Sequence, residues 1–127
     1  MSFDFILYSE VLHIYRFHVA SPIPPRIFDS SFFAISKSSA ELSVVTDLKL
    51  DGYERVEENW KRFSIAGVLD FSLTGVISGI SVLLADHGIS IFVVSSFDTD
   101  HLLVRVGQVE NVHQILKQAG HFVSADE

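Results

Sequence analysis

The chain has no cysteine, one methionine, one tryptophan and three prolines in 127 residues. Without cysteine there can be no disulfide, thiolate nucleophile or cysteine-based zinc site. Basic residues are also scarce: nine Lys and Arg stand against sixteen Asp and Glu, a formal net charge of −7. A nucleic-acid partner needs clustered Lys and Arg to neutralise phosphates, so this balance argues against one. Long apolar runs are missing too. The richest stretch, 76–97, is broken by Asp86, His87 and several serines, and it falls short of the ~20 apolar residues of a membrane-spanning helix. The first residues include Asp4 and Glu10 and no basic cluster, so no secretory signal is visible. A cytoplasmic location, with no membrane and no nucleic acid as partner, is the expectation.

What the chain has is apolar surface. Hydrophobic residues make up 48% of it, and the mean hydropathy is +0.35. A chain this short buries only a modest core by itself. The surplus therefore points to a subunit interface, and a homodimer is expected.

The first half reads as strands with a stunted helix. Residues 11–20 alternate as a strand and end at Ser21-Pro-Ile-Pro-Pro25, where the prolines forbid a ladder and leave room for one helical turn at 26–29. Residues 32–36 and 41–46 pair as a hairpin across a polar turn. The charged stretch 51–59 reads as an exposed connector. In the second half, 60–70 reads as a strand with an irregularity at Gly67. Apolar residues at 76, 77, 80, 83 and 84 then repeat at helical spacing, with Ser72 or Thr74 as a cap and Gly88 after the end. Two apolar runs, 89–97 and 101–106, flank the turn Phe97-Asp-Thr-Asp100. A second helix lined by Val109, Val112, Ile115, Leu116 and Ala119 stops at Gly120, before a short strand at 121–124. The sum is an α+β, ferredoxin-like βαββαβ layer.

Chemistry-bearing motifs are few. His13, His18, His87, His101, His113 and His121 show no H-x-H or H-E-x-x-H spacing, and as surface or strand-edge residues they make no metal site. No nucleophile elbow, phosphate loop or dinucleotide fingerprint is present. Asp98 and Asp100 flank a turn, where two carboxylates seldom converge on one substrate atom. No catalytic residue, metal or cofactor is assigned, and the chain does not read as an enzyme. An acylphosphatase-like hydrolase would need an arginine in a phosphate-cradling loop, and Arg16 and Arg26 are poorly placed for that.

Gly67-Val-Leu-Asp-Phe-Ser-Leu-Thr-Gly-Val, Gly88-Ile-Ser-Ile-Phe and Ser96-Phe-Asp-Thr-Asp-His-Leu-Leu-Val resemble the ACT-domain proteins of the small double-ACT type, and the ACT repeats of the cytosolic arginine sensor of the TOR pathway. The resemblance implies two tandem units: a degenerate one at 1–59 and an ACT domain at 60–127. It also implies a non-catalytic regulatory protein that binds an amino acid at paired units. A helix start suits a ligand carboxylate, because its backbone N–H groups lack partners and carry partial positive charge. Here that start is Gly75 and Val76. The resemblance adds Ser90 and Ile91 as a pocket wall and Asp100 as a partner for a ligand cation. An acidic residue early in the sensor's helix is matched only by Ser78, which leaves the ligand open. Each feature also has a plainer reading. Gly75 equally permits a sharp strand-to-helix turn, Asp100 equally bonds nearby backbone, and Gly75-x-x-x-Gly79 suits close helix–sheet packing. A scaffold that keeps its ACT units only to dimerise is the alternative function.

Overall fold

A computed structural model of the chain describes residues 2–67 and 75–126. Two compact units emerge, one of residues 1–9 with 61–127 and one of residues 10–60. The mixed α+β, ferredoxin-like architecture expected from the residue pattern is present in the first of them.

That unit contains strand β1 (Asp4–Leu7), the last five residues of β5 (Arg55–Ile65), helix α1 (Val76–Ala85), β6 (Ile91–Ser95), β7 (Asp100–Arg105), helix α2 (Val109–Gln118) and β8 (Phe122–Ala125). Its strands run in the order β8-β1-β5-β7-β6. The succession β5-α1-β6-β7-α2-β8 is the βαββαβ pattern, with β1 interposed between β5 and β8. β1 runs antiparallel to β5, where Phe5 faces Ile65, and parallel to β8, where Phe5 faces Val123. Only the alternation of Phe3 and Phe5 hints at β1 in the residue pattern: it is four residues long and Phe5 is its one buried side chain. The unit's core joins Phe5, Phe63 and Ile65 of the strands to Ile80 and Leu84 of α1 and to Leu116 of α2.

The two helices differ in character. α2 buries Val112, Ile115 and Leu116 at helical spacing, with Glu110 in its first turn and Lys117 in its last, charges that complement the helix dipole. α1 is apolar all round, yet only Ile80 and Leu84 are buried, and Val82 stands 57% exposed. Gly88, at φ 73°, and Gly120, at φ 92°, take the left-handed conformation after the helices end.

The other unit holds β2 (Leu12–Phe17), a 3-10 turn (Pro25–Asp29), β3 (Phe33–Lys37), β4 (Leu42–Thr46) and the first six residues of β5. Its strand order is β3-β4-β2-β5, and Tyr15, Phe17, Ile27, Leu42, Val44 and Leu50 form its core. The stretch 51–59 is only partly a connector. From Arg55 onward it is strand, paired to β2 with Arg16 facing Arg55 and Ile14 facing Glu57. Its charges sit on exposed positions while Val56 packs inward against the core. The register slips between Leu12 and Ile14, where Asn59 adopts φ 69°, a conformation asparagine tolerates better than most residues. The Asn59 N–H donates to His13 Nδ1 at 3.3 Å.

Phe5 is 1% exposed, so Phe5→Ala should remove about 3–5 kcal/mol of stability, read as a lower midpoint in urea unfolding. A loss below about 1 kcal/mol, the size of a surface change, would show that β1 does not belong to this core.

Candidate functional site

The site begins where α1 begins. Gly75 is the N-cap residue at φ 81°, ψ −1°, and among the described residues no side chain caps it. An L side chain would be strained at that φ, so the turn itself requires glycine. Ser72 and Thr74, the expected caps, lie outside the described residues. The first intrahelical bond runs from the Gly79 N–H to the Gly75 carbonyl at 2.9 Å. The N–H groups of Val76, Ile77 and Ser78 therefore have no partner within the helix, and the positive end of the helix dipole lies there.

A cavity of about 300 Å³ adjoins this helix start, lined on one side by Gly75, Val76, Gly79, Ile80 and Leu83 of α1 and on the other by Phe3 and His121. Gly79 is the unexpected element. Among the described residues a Cβ added there would meet nothing within 4 Å, so none of them makes the close helix–sheet contact of the packing reading of Gly75-x-x-x-Gly79. A glycine inside a helix costs about 1 kcal/mol relative to alanine. Here the missing side chain opens the cavity instead.

His121 is not the surface residue its spacing suggests. It is 8% exposed, stacks on Phe3 with ring centroids 5.8 Å apart and meets the Phe5 ring edge-on. The Phe3 N–H donates to its Nδ1 at 3.0 Å. Nδ1 is therefore the acceptor, and the neutral ring carries its proton on Nε2. Burial lowers its pKa, which keeps it neutral.

The other expected site residues lie elsewhere. Ser90 is exposed immediately before β6, and Ile91 faces Val104 across the β6–β7 pair. Asp100 faces Ser95 in that hairpin and accepts its hydroxyl hydrogen bond at 2.5 Å, as the plainer reading of a turn carboxylate has it. Within the turn the Ser96 N–H donates to the Thr99 carbonyl at 2.9 Å. Gly75 and Val76 thus share one cavity, while Ser90, Ile91 and Asp100 do not line it.

A second polar cluster stands on β5 and β7. Ser64 Oγ lies 2.5 Å from His101 Nδ1, the Arg62 guanidinium donates to Ser64 Oγ at 3.2 Å and sits 3.6 Å from the Tyr8 ring centroid. On its other side His101 Nε2 lies 3.2 Å from Ser96 Oγ. Burial first, then the neighbouring Arg62 charge, lowers the His101 pKa. A serine beside a histidine has the composition of a nucleophile and its base, yet Ser64 is only 3% exposed, too enclosed to meet a substrate. The cluster satisfies buried polar groups. Among the described residues no three His, Asp or Glu side chains are grouped to hold a metal ion.

Strand order and helix placement together define a small α+β module of the ferredoxin-like type. The ACT-domain family model matches residues 55–118, and the chain belongs to that family. A structural-genomics protein from Agrobacterium tumefaciens is 31% identical over 100% of this chain and 96% of its own, with TM-score 0.88. A Vibrio cholerae protein of unknown function, described as a possible transport protein, is 17% identical, covers 92% of this chain and 89% of its own, and has TM-score 0.70. The ligand-free regulatory subunit of aspartate kinase from Thermus thermophilus is 15% identical, covers 91% and 96%, and has TM-score 0.63. At that identity the last two show the shared fold alone. No curated protein matches the chain.

Two outcomes follow. Gly79→Ala should raise stability by about 0.5–1 kcal/mol, because it removes helix-interior glycine and its Cβ meets nothing. A lower melting temperature would show that something within the chain fills that space. For pH, His101 binds its proton less readily when folded than at the ordinary value of 6.5. The unfolded chain then holds more protons, so stability is complete above about 6.5 and declines as pH falls below it. Melting scans from pH 7.5 to 5.5 should show that decline, and His101→Gln should lessen it, the remainder coming from His13 and His121, whose pKa values burial also lowers; an equally steep decline in the variant would assign the titration to those groups alone.

Proposed function

We propose that this chain is a non-catalytic regulatory module that binds a small molecule, an amino acid, at the start of α1, and that it works in the cytoplasm as a homodimer. Membership of the ACT family, whose domains are regulatory, supports the regulatory role. The observation that carries the ligand-binding part is the cavity lined by Gly75, Val76 and Gly79 beside helix N–H groups that have no partner within the helix. A ligand carboxylate there would accept bonds from the Val76 and Ile77 N–H groups, in the field of the helix dipole.

The dimer has its own support. Among the described strands β6 pairs only with β7, and Ile91, Phe92, Val93 and Val94 along it are all partly exposed. An apolar, uncharged edge strand is a ready template for a second chain. Ser90, Ile91 and Asp100 enter the proposal through that edge, as an outer wall that meets ligand held between two copies. The narrower likeness to the arginine-sensor repeats supports an amino acid as ligand without fixing which. A ligand that prefers one subunit arrangement shifts the population toward it, and this is how binding would become a signal.

The test is a thermal-shift screen of the full chain against the twenty amino acids at millimolar concentration, with dimer state followed by light scattering. An amino acid at about 100 times its Kd should add about 2.7 kcal/mol to the stability of the bound form, a clear rise in melting temperature. A dimer whose melting temperature none of the twenty moves would overturn ligand binding and leave the interaction scaffold.

A further inference from the structure

β5 carries one residue too many for its neighbour β2. Leu12 faces Trp60 and Ile14 faces Glu57, so Glu58 and Asn59 together stand against His13 alone, a β-bulge. The extra residue of a bulge has no partner in the ladder. Here the Asn59 N–H donates to a side chain instead, His13 Nδ1 at 3.3 Å. Asn59 is also the one non-glycine residue at positive φ, 69°, among the described residues, so the bulge holds a backbone conformation that L side chains disfavour. His13 is 3% exposed, faces Thr46 of β4 and meets the Tyr15 ring with centroids 6.2 Å apart. A strained bulge thus has its spare N–H held by histidine, the side chain whose ordinary pKa lies nearest neutrality.

An Nδ1 that accepts is unprotonated, so the neutral ring carries its proton on Nε2. The charged ring has an N–H on both nitrogens and no acceptor left. Charged groups reach it from three segments: Glu58 on β5, Asp47 just after β4, and Lys49 beyond it. Burial lowers the His13 pKa most, Lys49 lowers it further, and Glu58 and Asp47 oppose both. Tyr15, on its own strand, keeps its proton because burial raises its pKa. We infer that His13 is a proton-operated latch on the β5 bulge. The neutral ring holds the Asn59 N–H, and with it the register of β5 on β2. A proton from solvent bound at Nδ1 turns the acceptor into a donor, and residues 58–60 come off β2. Glu10 and Trp60 are the ends of this unit, so the latch ties the strand by which the chain enters it to the strand by which it leaves. Acid then opens the unit at those ends, while the core around Phe17, Leu42 and Val44 stays closed. The latch works without a ligand.

The experiment is hydrogen exchange of the full chain, followed amide by amide by NMR from pH 7.5 to 5.5 and corrected for the intrinsic rate at each pH. Because the folded ring binds its proton less readily than at the ordinary value of 6.5, opening takes up a proton below that value. Protection of the Asn59 amide should be constant above about 6.5 and fall below it, by up to about tenfold per pH unit, the factor for one proton. Val44, in the core, should keep its protection; a parallel decline of both amides would mean global unfolding and overturn the latch. H13N keeps an acceptor in the place of Nδ1 and does not titrate, so its Asn59 protection should not depend on pH. H13L has no acceptor and should leave Asn59 weakly protected at every pH. Steady Asn59 protection in the natural chain, or the same decline in H13N, would overturn the proposal. Should H13N not fold, the ring nitrogens of the natural chain at pH 7.5 decide. An unprotonated Nδ1 coupled to the Asn59 N–H supports the latch, and a protonated Nδ1 overturns it.

Discussion

The parallel pairing of β1 with β8 is the contact on which the rest of the site depends. Phe3 and His121 are separated by 118 positions, and only this pairing brings them side by side. Four contacts knit the approach to the two strands. The Phe3 N–H donates to His121 Nδ1 and the Phe122 N–H to the Phe3 carbonyl, Ser2 Oγ donates to the Gly120 carbonyl, and the Asp126 N–H closes the far end on the Leu7 carbonyl. The first of these also chooses the tautomer of the imidazole. A backbone bond that looks structural therefore decides which nitrogen of His121 faces outward with a proton.

α1 shows a different balance. α2 is built for stability, with a buried stripe and charges matched to its dipole. α1 has two buried side chains, a left-handed glycine as its cap and a second glycine in its interior. Local rules broken with no compensating contact among the described residues mark places where a sequence can serve something other than folding. That both breaches adjoin one cavity is what separates α1 from an ordinary weak helix. The Ser64–His101 cluster is the instructive contrast: its groups are mutually satisfied and enclosed, and it has the residue types of a reactive centre without the access.

Much of the fold was legible because its signals are local. The hairpin of β3 and β4, the 3-10 turn after the prolines, the β6–β7 pair and the whole of α2 follow from alternation, turn residues and helical spacing. β1 was not legible, since four residues carry too little periodicity and their partners are distant in sequence. The strand character of Arg55–Asn59 was masked by charge, although Val56 holds the inward position that alternation requires. At the α1 cavity, the helix start at Gly75 and Val76 was readable from the spacing. His121 was not, because a histidine after a helix-ending glycine resembles a surface residue until Phe3 is placed beside it. One signal was available: phenylalanines at 3 and 5 with the alternation of a strand need a partner somewhere in the chain.

The unit that carries the site is discontinuous along the chain, with residues 10–60 lying between its first strand and the remainder. During synthesis this has a consequence in time. Residues 10–60 hold their own local pairings and can close as soon as they emerge. β1 leaves the ribosome before β8, which follows it by 118 positions, an interval of roughly 6–24 s at the usual ~5–20 residues per second. Throughout that interval Phe3 and Phe5 stand beside an unpaired edge. Until β8 arrives, that edge of β1 lacks the neighbour it has in the folded unit.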